Sequence, residues 1–165
     1  MSEKRIIHIK FSEFRSLSEL EKDDNELVSA AREASGKAYA PYSGFMVGAA
    51  IRLNSGKIIM GANVENAAFP SGICAERSAI SNSVSNYPDD YPVAIAVAAR
   101  TADGFTEDYV SPCGSCRQVI AEEETRTGRE IRLILSGRDT AAVISGISSL
   151  LPLQFNKQHL RPGRP

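Results

Sequence analysis

Long hydrophobic runs are missing from this 165-residue chain, an excess of either charge is missing too, and cysteine occurs only three times. The longest strongly apolar run, Val93-Ala94-Ile95-Ala96-Val97-Ala98-Ala99, has the length of a buried strand. It falls far short of the about 20 residues that span a bilayer, so no membrane segment is expected. The first residues interleave Lys4, Arg5, His8 and Lys10 with Ile6, Ile7 and Ile9. They form no secretory apolar core of about 7–15 residues, and the expected location is cytoplasmic. Lys plus Arg number 19 and Asp plus Glu 20, a formal charge of −1. That balance lacks the basic footprint of a nucleic-acid binder and favours a small-molecule substrate. An odd cysteine count in a reducing compartment excludes a disulfide framework and leaves a metal or a reactive thiol. A chain of this length buries roughly 70% of its unfolded surface and needs no cross-links to fold as one domain. Internal repeats, linkers and low-complexity tracts are also lacking.

What is present reads as alternating helices and strands. Residues 1–23 are polar and irregular, with a brief alternation of Ile7, Ile9 and Phe11 that suits a short edge strand or an arm, and are read as an N-terminal extension. Asp24-Asn25 can cap a helix through Leu27, Val28, Ala31, Ala34 and Ala38, stopped by Pro41. Met46 to Leu53 and Lys57 to Asn63, joined by Asn54-Ser55-Gly56, form a β-hairpin by turn chemistry and β-rich flanks. Helices are expected over Ala75 to Val84 and Cys113 to Glu124, and strands over Val93 to Ala99, Glu130 to Ser136 and Ala141 to Ser145. A helical turn from Ile147 to Leu151 ends at Pro152. This order predicts a three-layer α/β/α domain over residues 24–160, built on a mixed five-stranded sheet, with a frayed tail at 161–165.

The cysteines fall in two motifs, Cys74-Ala75-Glu76-Arg77 and Pro112-Cys113-Gly114-Ser115-Cys116. Three buried core cysteines are the alternative, which this joint spacing disfavours. A structural zinc site saturates the ion with four protein ligands, whereas three leave a tetrahedral position open for water, which means hydrolytic chemistry. Both motifs sit where a loop becomes a helix, so two positive helix ends should converge on the ion. A thiolate-rich site carries net negative charge, and those helix ends and Arg77 are available to offset it, Arg77 through the sulfurs. Glu76, two residues from a ligand, can reach the water without ligating the metal. There it can shuttle the protons that hydrolysis of an amidine-like carbon requires.

At these residues the chain resembles the cytidine deaminase family of the small homotetrameric, zinc-dependent type, whose class signature is H-x-E with P-C-x-x-C. Cys74 stands in the histidine position. The resemblance extends over Tyr39-Ala40-Pro41-Tyr42-Ser43-Gly44-Phe45-Met46-Val47-Gly48-Ala49, Gly61-Ala62-Asn63-Val64-Glu65-Asn66-Ala67-Ala68, Gly72-Ile73-Cys74-Ala75-Glu76-Arg77-Ser78-Ala79 and Ser111-Pro112-Cys113-Gly114-Ser115-Cys116-Arg117-Gln118-Val119, then Leu150-Leu151-Pro152 and Phe155.

The resemblance implies that Cys74, Cys113 and Cys116 hold one Zn2+ per chain and that Glu76 is the general acid and base. It implies that Asn63 and Glu65 bind the ribose 3′-hydroxyl and that Phe45 packs in the nucleoside pocket. Backbone groups near Ala75 and Ser111 would read the pyrimidine, and Phe155 would stack on the base from a neighbouring subunit. The implied activity is hydrolytic deamination of cytidine and 2′-deoxycytidine in pyrimidine salvage. Deamination of a cytosine nucleoside antibiotic of the blasticidin S type is the close alternative, and a non-catalytic zinc protein the distant one. Two departures stand out. Phe69 occupies a place where many relatives carry tyrosine, and Glu122-Glu123-Glu124 replaces a more apolar helix end, expected to alter only an outer face.

Overall fold

The computed structural model describes residues 2–160, so the expected frayed tail at 161–165 lies outside the described residues. In chain order the elements are β1 (Ser12–Phe14), α1 (Lys22–Ser35), β2 (Met46–Leu53), β3 (Ile58–Ala62), α2 (Ala75–Asn86), β4 (Pro92–Thr101), β5 (Gly104–Phe105), α3 (Gly114–Thr127), β6 (Arg132–Ser136), β7 (Ala141–Ser145) and α4 (Lys157–Leu160). The strands form one sheet in the order β1-β7-β6-β4-β2-β3, with β5 pairing onto β4. Only β4 and β6 pair in parallel, because α3 connects them as a crossover; the other pairings are antiparallel.

The three-layer mixed architecture matches expectation, but the sheet has seven strands rather than five. The five long strands are those the sequence indicates. The added two are β1 and β5, of three and two residues, too short to carry a period-two signal of their own. The segment ahead of α1, expected to be an extension, therefore adds an edge strand, and it does so at Ser12–Phe14 rather than across the Ile7, Ile9 and Phe11 alternation. Helix α1 begins earlier than expected, at Lys22, and Asp24 does not cap it. The Asp24 carboxylate instead faces inward and takes the Arg132 guanidinium through three contacts of 2.7–3.2 Å.

The two faces of the sheet are built from different residue sizes. Along β4, Ala94, Ala96 and Ala98 point to the α1 side, whereas Ile95 and Val97 point to the α2 and α3 side. The alternation repeats in β6 and β7, where Leu133, Leu135 and Ile144 join the α2 and α3 side. Two glycines set how closely the helices approach. A Cβ on Gly48 would lie 2.0 Å from the Ala31 carbonyl oxygen of α1, and one on Gly61 would lie 2.4 Å from the Ala79 nitrogen of α2. Side chains are excluded at both positions, so α1 rests on a bed of alanine and glycine and α2 sits directly over β3. The second contact holds the N-terminus of α2 against the sheet.

Candidate metal centre and nucleoside pocket

Cys74 is the N-cap residue of α2 and Cys113 the N-cap residue of α3. Neither side chain caps its own helix, which leaves both thiols free to face each other. Cys116 follows one turn into α3, so helical geometry places it beside Cys113, and their sulfurs are 3.5 Å apart. The three Sγ atoms lie within 4.8 Å of one another. Sulfurs bound at about 2.3 Å to one tetrahedral ion would be about 3.8 Å apart, so a zinc ion fits this donor set with small adjustments. Cys116 is fully buried, Cys74 half-buried and Cys113 exposed, so the cluster is sealed beneath and open on one side.

Burial dominates the titration of this corner. It pushes the Glu76 carboxyl above its ordinary range, although its own backbone N–H and the Cys116 thiol pull the other way. It also raises the Cys74 thiol, and it raises Cys116 further, with Glu76 adding charge repulsion. Burial acts to raise Cys113 as well, but donation from the Cys116 backbone N–H, the neighbouring thiols and the Ser115 backbone outweighs it, leaving Cys113 lowered. A glutamate only 5% exposed, whose burial eases protonation, is poised to give and take protons.

Above the cluster opens a cavity of about 650 Å3. Phe45, Asn63, Glu65, Cys74, Ala75, Glu76, Ser111 and Cys113 all line it, so the fold gathers eight of the eleven residues singled out from sequence. Cys116 is fully buried and lies outside the lining. Arg77 is half-buried on the first turn of α2, outside the lining. Phe155 also lies outside it; the residue is 56% exposed, its ring stacks on His159 at 5.6 Å, and its carbonyl accepts from Gln118 Nε2 at 2.8 Å.

Asn63 and Glu65 lie just past β3, where bridges from Val64 to Tyr39 and to Ile73 keep the chain extended and preserve the period of two. Both side chains turn to the segment that leads from Tyr39 into the start of β2. Asn63 Oδ1 accepts from the Val47 N–H at 2.8 Å while Nδ2 donates to the Phe45 carbonyl at 3.0 Å. The Glu65 carboxylate accepts from the Tyr42 N–H at 2.8 Å, the Ser43 N–H at 3.3 Å and the Ser43 hydroxyl at 2.5 Å. The Ser43 hydroxyl first, and the Tyr42 N–H after it, lower the Glu65 pKa and keep it ionised. Each side chain thus shapes the loop and still retains hydrogen-bonding capacity toward the cavity.

Several contacts around the site were not legible in the sequence. Phe69 packs edge-on against Tyr42 at the cavity mouth, ring centroids 5.7 Å apart. Arg117, which directly follows Cys116, donates through Nε to the Pro112 carbonyl and through Nη1 to the Leu150 carbonyl, both at 2.8 Å, and so ties the cysteine loop to the chain after β7. The adjacent motif was the available signal, but nothing local reveals an arginine's distant acceptor. The acidic end of α3 corrects the outer-face expectation. Glu123 is buried and paired with Arg126, and Glu124 accepts from the Ile131 and Ile147 N–H groups.

Comparison with known proteins agrees with this geometry. The family model described as "Cytidine and deoxycytidylate deaminase zinc-binding region" matches residues 21–128. A cytidine deaminase from Sporosarcina psychrophila is 38% identical over 138 residues, 84% of this chain and 95% of the relative. A blasticidin-S deaminase from Bacillus cereus is 31% identical over 140 residues, 84% of this chain and 96% of the relative. The crystal structure of a cytidine deaminase from Burkholderia pseudomallei superposes with a TM-score of 0.67 at 38% identity, covering 79% of this chain and 97% of that one.

Proposed function

Because the chain belongs to the cytidine and deoxycytidylate deaminase family, we propose that it hydrolyses cytidine and 2′-deoxycytidine to uridine and 2′-deoxyuridine with release of ammonia, as a cytoplasmic enzyme of pyrimidine salvage. The observation that carries this reading is the buried Glu76 carboxyl beside three clustered thiols on the wall of a nucleoside-sized cavity.

Cys74, Cys113 and Cys116 would hold zinc, and the ion when bound supplies Lewis-acid activation of the attacking water. The residues of the chain do the rest. Glu76 takes a proton from the water, delivers one to the ring nitrogen N3, and carries another to the departing amine as C4 exchanges its C–N bond for C–O. The α2 and α3 N-termini favour the thiolates, and Arg77 adds positive charge near the cluster. Val47, Val97 and Val110 give the cavity apolar walls that exclude water from the base. Backbone groups at Ala75 and Ser111 read the pyrimidine edge, Phe45 packs beside it, and Asn63 with Glu65 takes the 3′-hydroxyl.

The charges lining the cavity favour a nucleoside over a nucleotide. Among the described residues the lining holds Glu65 and Glu76 and neither lysine nor arginine, so a 5′-phosphate would meet the Glu65 carboxylate and no lining counter-ion. Phe155, exposed and outside its own cavity, suits a homotetramer in which it completes a neighbour's site. Similarity to the blasticidin-S deaminase supports a cytosine nucleoside antibiotic as the second reading. The deciding assay is loss of cytosine absorbance on adding cytidine, with deoxycytidine, deoxycytidylate, cytosine and blasticidin S in parallel. Efficient turnover of cytidine and deoxycytidine is expected; preference for deoxycytidylate or blasticidin S overturns the substrate assignment.

A further inference from the structure

The loop joining β5 to α3 carries Val110 and Ser111 along the cavity and ends at Cys113. It is fastened at three places. At its start, the Glu107 carbonyl accepts from the Arg138 N–H and the Thr140 hydroxyl, both at 3.3 Å, in the turn between β6 and β7. At its end, Arg117 holds the Pro112 carbonyl. Between them, the Tyr109 hydroxyl donates to Glu13 Oε1 at 2.7 Å, a contact across 96 positions of sequence. Tyr109 and Pro112 therefore bracket the two cavity-lining residues.

The register of β1 decides that Glu13 reaches this loop. Glu13 lies opposite Ala142 of β7, and directly opposed residues of an antiparallel pair share a face. Ala142 belongs to the α2 and α3 side, as does the ring of Tyr109, whereas Phe14 packs on the α1 side. A slip of one residue would turn Glu13 to the wrong face and expose Phe14. Glu13 also precedes the stretch that matches the family model, which starts at residue 21.

We propose that β1 is a strap for the active site, with Glu13 a positioning residue that acts through Tyr109 to fix the Val110–Ser111 segment against the substrate base. This rests on the deaminase reading above. The strap touches no reacting atom, so its effect falls on substrate binding rather than on the proton transfers of Glu76. The Tyr109 hydroxyl is the donor, so any neutral or charged acceptor at position 13 sustains the strap.

The test is steady-state kinetics on the full chain with cytidine, together with zinc content, for Tyr109→Phe, Glu13→Ala, their double variant and Glu13→Gln. Loss of one such hydrogen bond is expected to raise KM about three- to tenfold, with kcat within about twofold and one zinc retained. The double variant should be no worse than either single change, and Glu13→Gln, which keeps an acceptor, should restore most of the affinity. Unchanged KM in both single variants, or effects that add in the double variant, would overturn the strap. Equal losses in kcat and zinc content would likewise show a general structural defect instead. Failure of the wild-type chain to turn over cytidine strikes the deaminase reading itself, a result distinct from any of these.

Discussion

The two ends of the cavity are held in different ways. At the metal end, Cys74, Glu76, Cys113 and Cys116 are placed by the first turns of two helices, and Glu76 and Cys116 are buried. At the other end, where Asn63 and Glu65 are proposed to meet the sugar, both are held by hydrogen bonds to a segment some twenty residues earlier, and Glu65 bonds chiefly to groups at the surface. Helix geometry makes the first end stiff and its chemistry all-or-none. A network of individually modest bonds makes the second adjustable, which is where substrate preference can change without loss of the reaction.

Breaking the metal end should have the largest effect. Cys116→Ala removes a fully buried ligand and should abolish both zinc binding and turnover. Metal analysis with activity measurement checks this, and near-normal turnover would refute the zinc assignment. Glu76→Gln separates metal from proton transfer. Zinc content and thermal stability should persist while kcat falls at least about a thousandfold. A small loss would mean that another group moves the protons.

Phe155→Ala should raise KM for cytidine, since stacking on a base contributes on the order of 1–3 kcal/mol. Sedimentation should show whether assembly loosens as well, and an unchanged KM together with an unchanged assembly would remove Phe155 from the site. The Asn63 and Glu65 end should respond more gently. Glu65→Ala should weaken cytidine while narrowing its advantage over 3′-deoxycytidine, because the variant no longer leaves a carboxylate unpaired by the analogue. The lowered pKa of Glu65 gives a pH signature too. Its hydrogen bonds to Ser43 and Tyr42 contribute stability that is present above the unfolded value of about 4.3 and lost as pH falls through the lower folded value. The stability difference between wild type and Glu65→Gln should be flat above about pH 5 and shrink as pH falls below it. A difference that vanished near neutrality would show that the carboxylate is not what holds the loop.

Legibility follows the range of the interaction responsible. The Cys113 and Cys116 pair was readable because ligands three apart share one helical turn, and Glu76 was readable because it lies two positions from Cys74. The hairpin of β2 and β3 was readable from its Asn54-Ser55-Gly56 turn. Glu124 was misread because an acidic residue at a helix end is usually solvated, and only the fold brings the Ile131 and Ile147 N–H groups to it. Asp24 looked like a helix cap until Arg132 supplied a stronger partner. The two short strands could not be seen because their pairing energy comes from neighbours rather than from their own pattern.

The amino-acid sequence by itself determined the donor set of three thiols and a carboxylate, the five long strands and the three main helices, since periodicity and motif spacing act within a few residues. Tertiary structure decided that Cys74 meets the other two cysteines and that Gly61 lets α2 lie close on the sheet. It also decided that the register of β1 turns Glu13 toward Tyr109. Each of these joins groups remote along the chain, and strand pairing and close packing, which no local pattern encodes, select the partner.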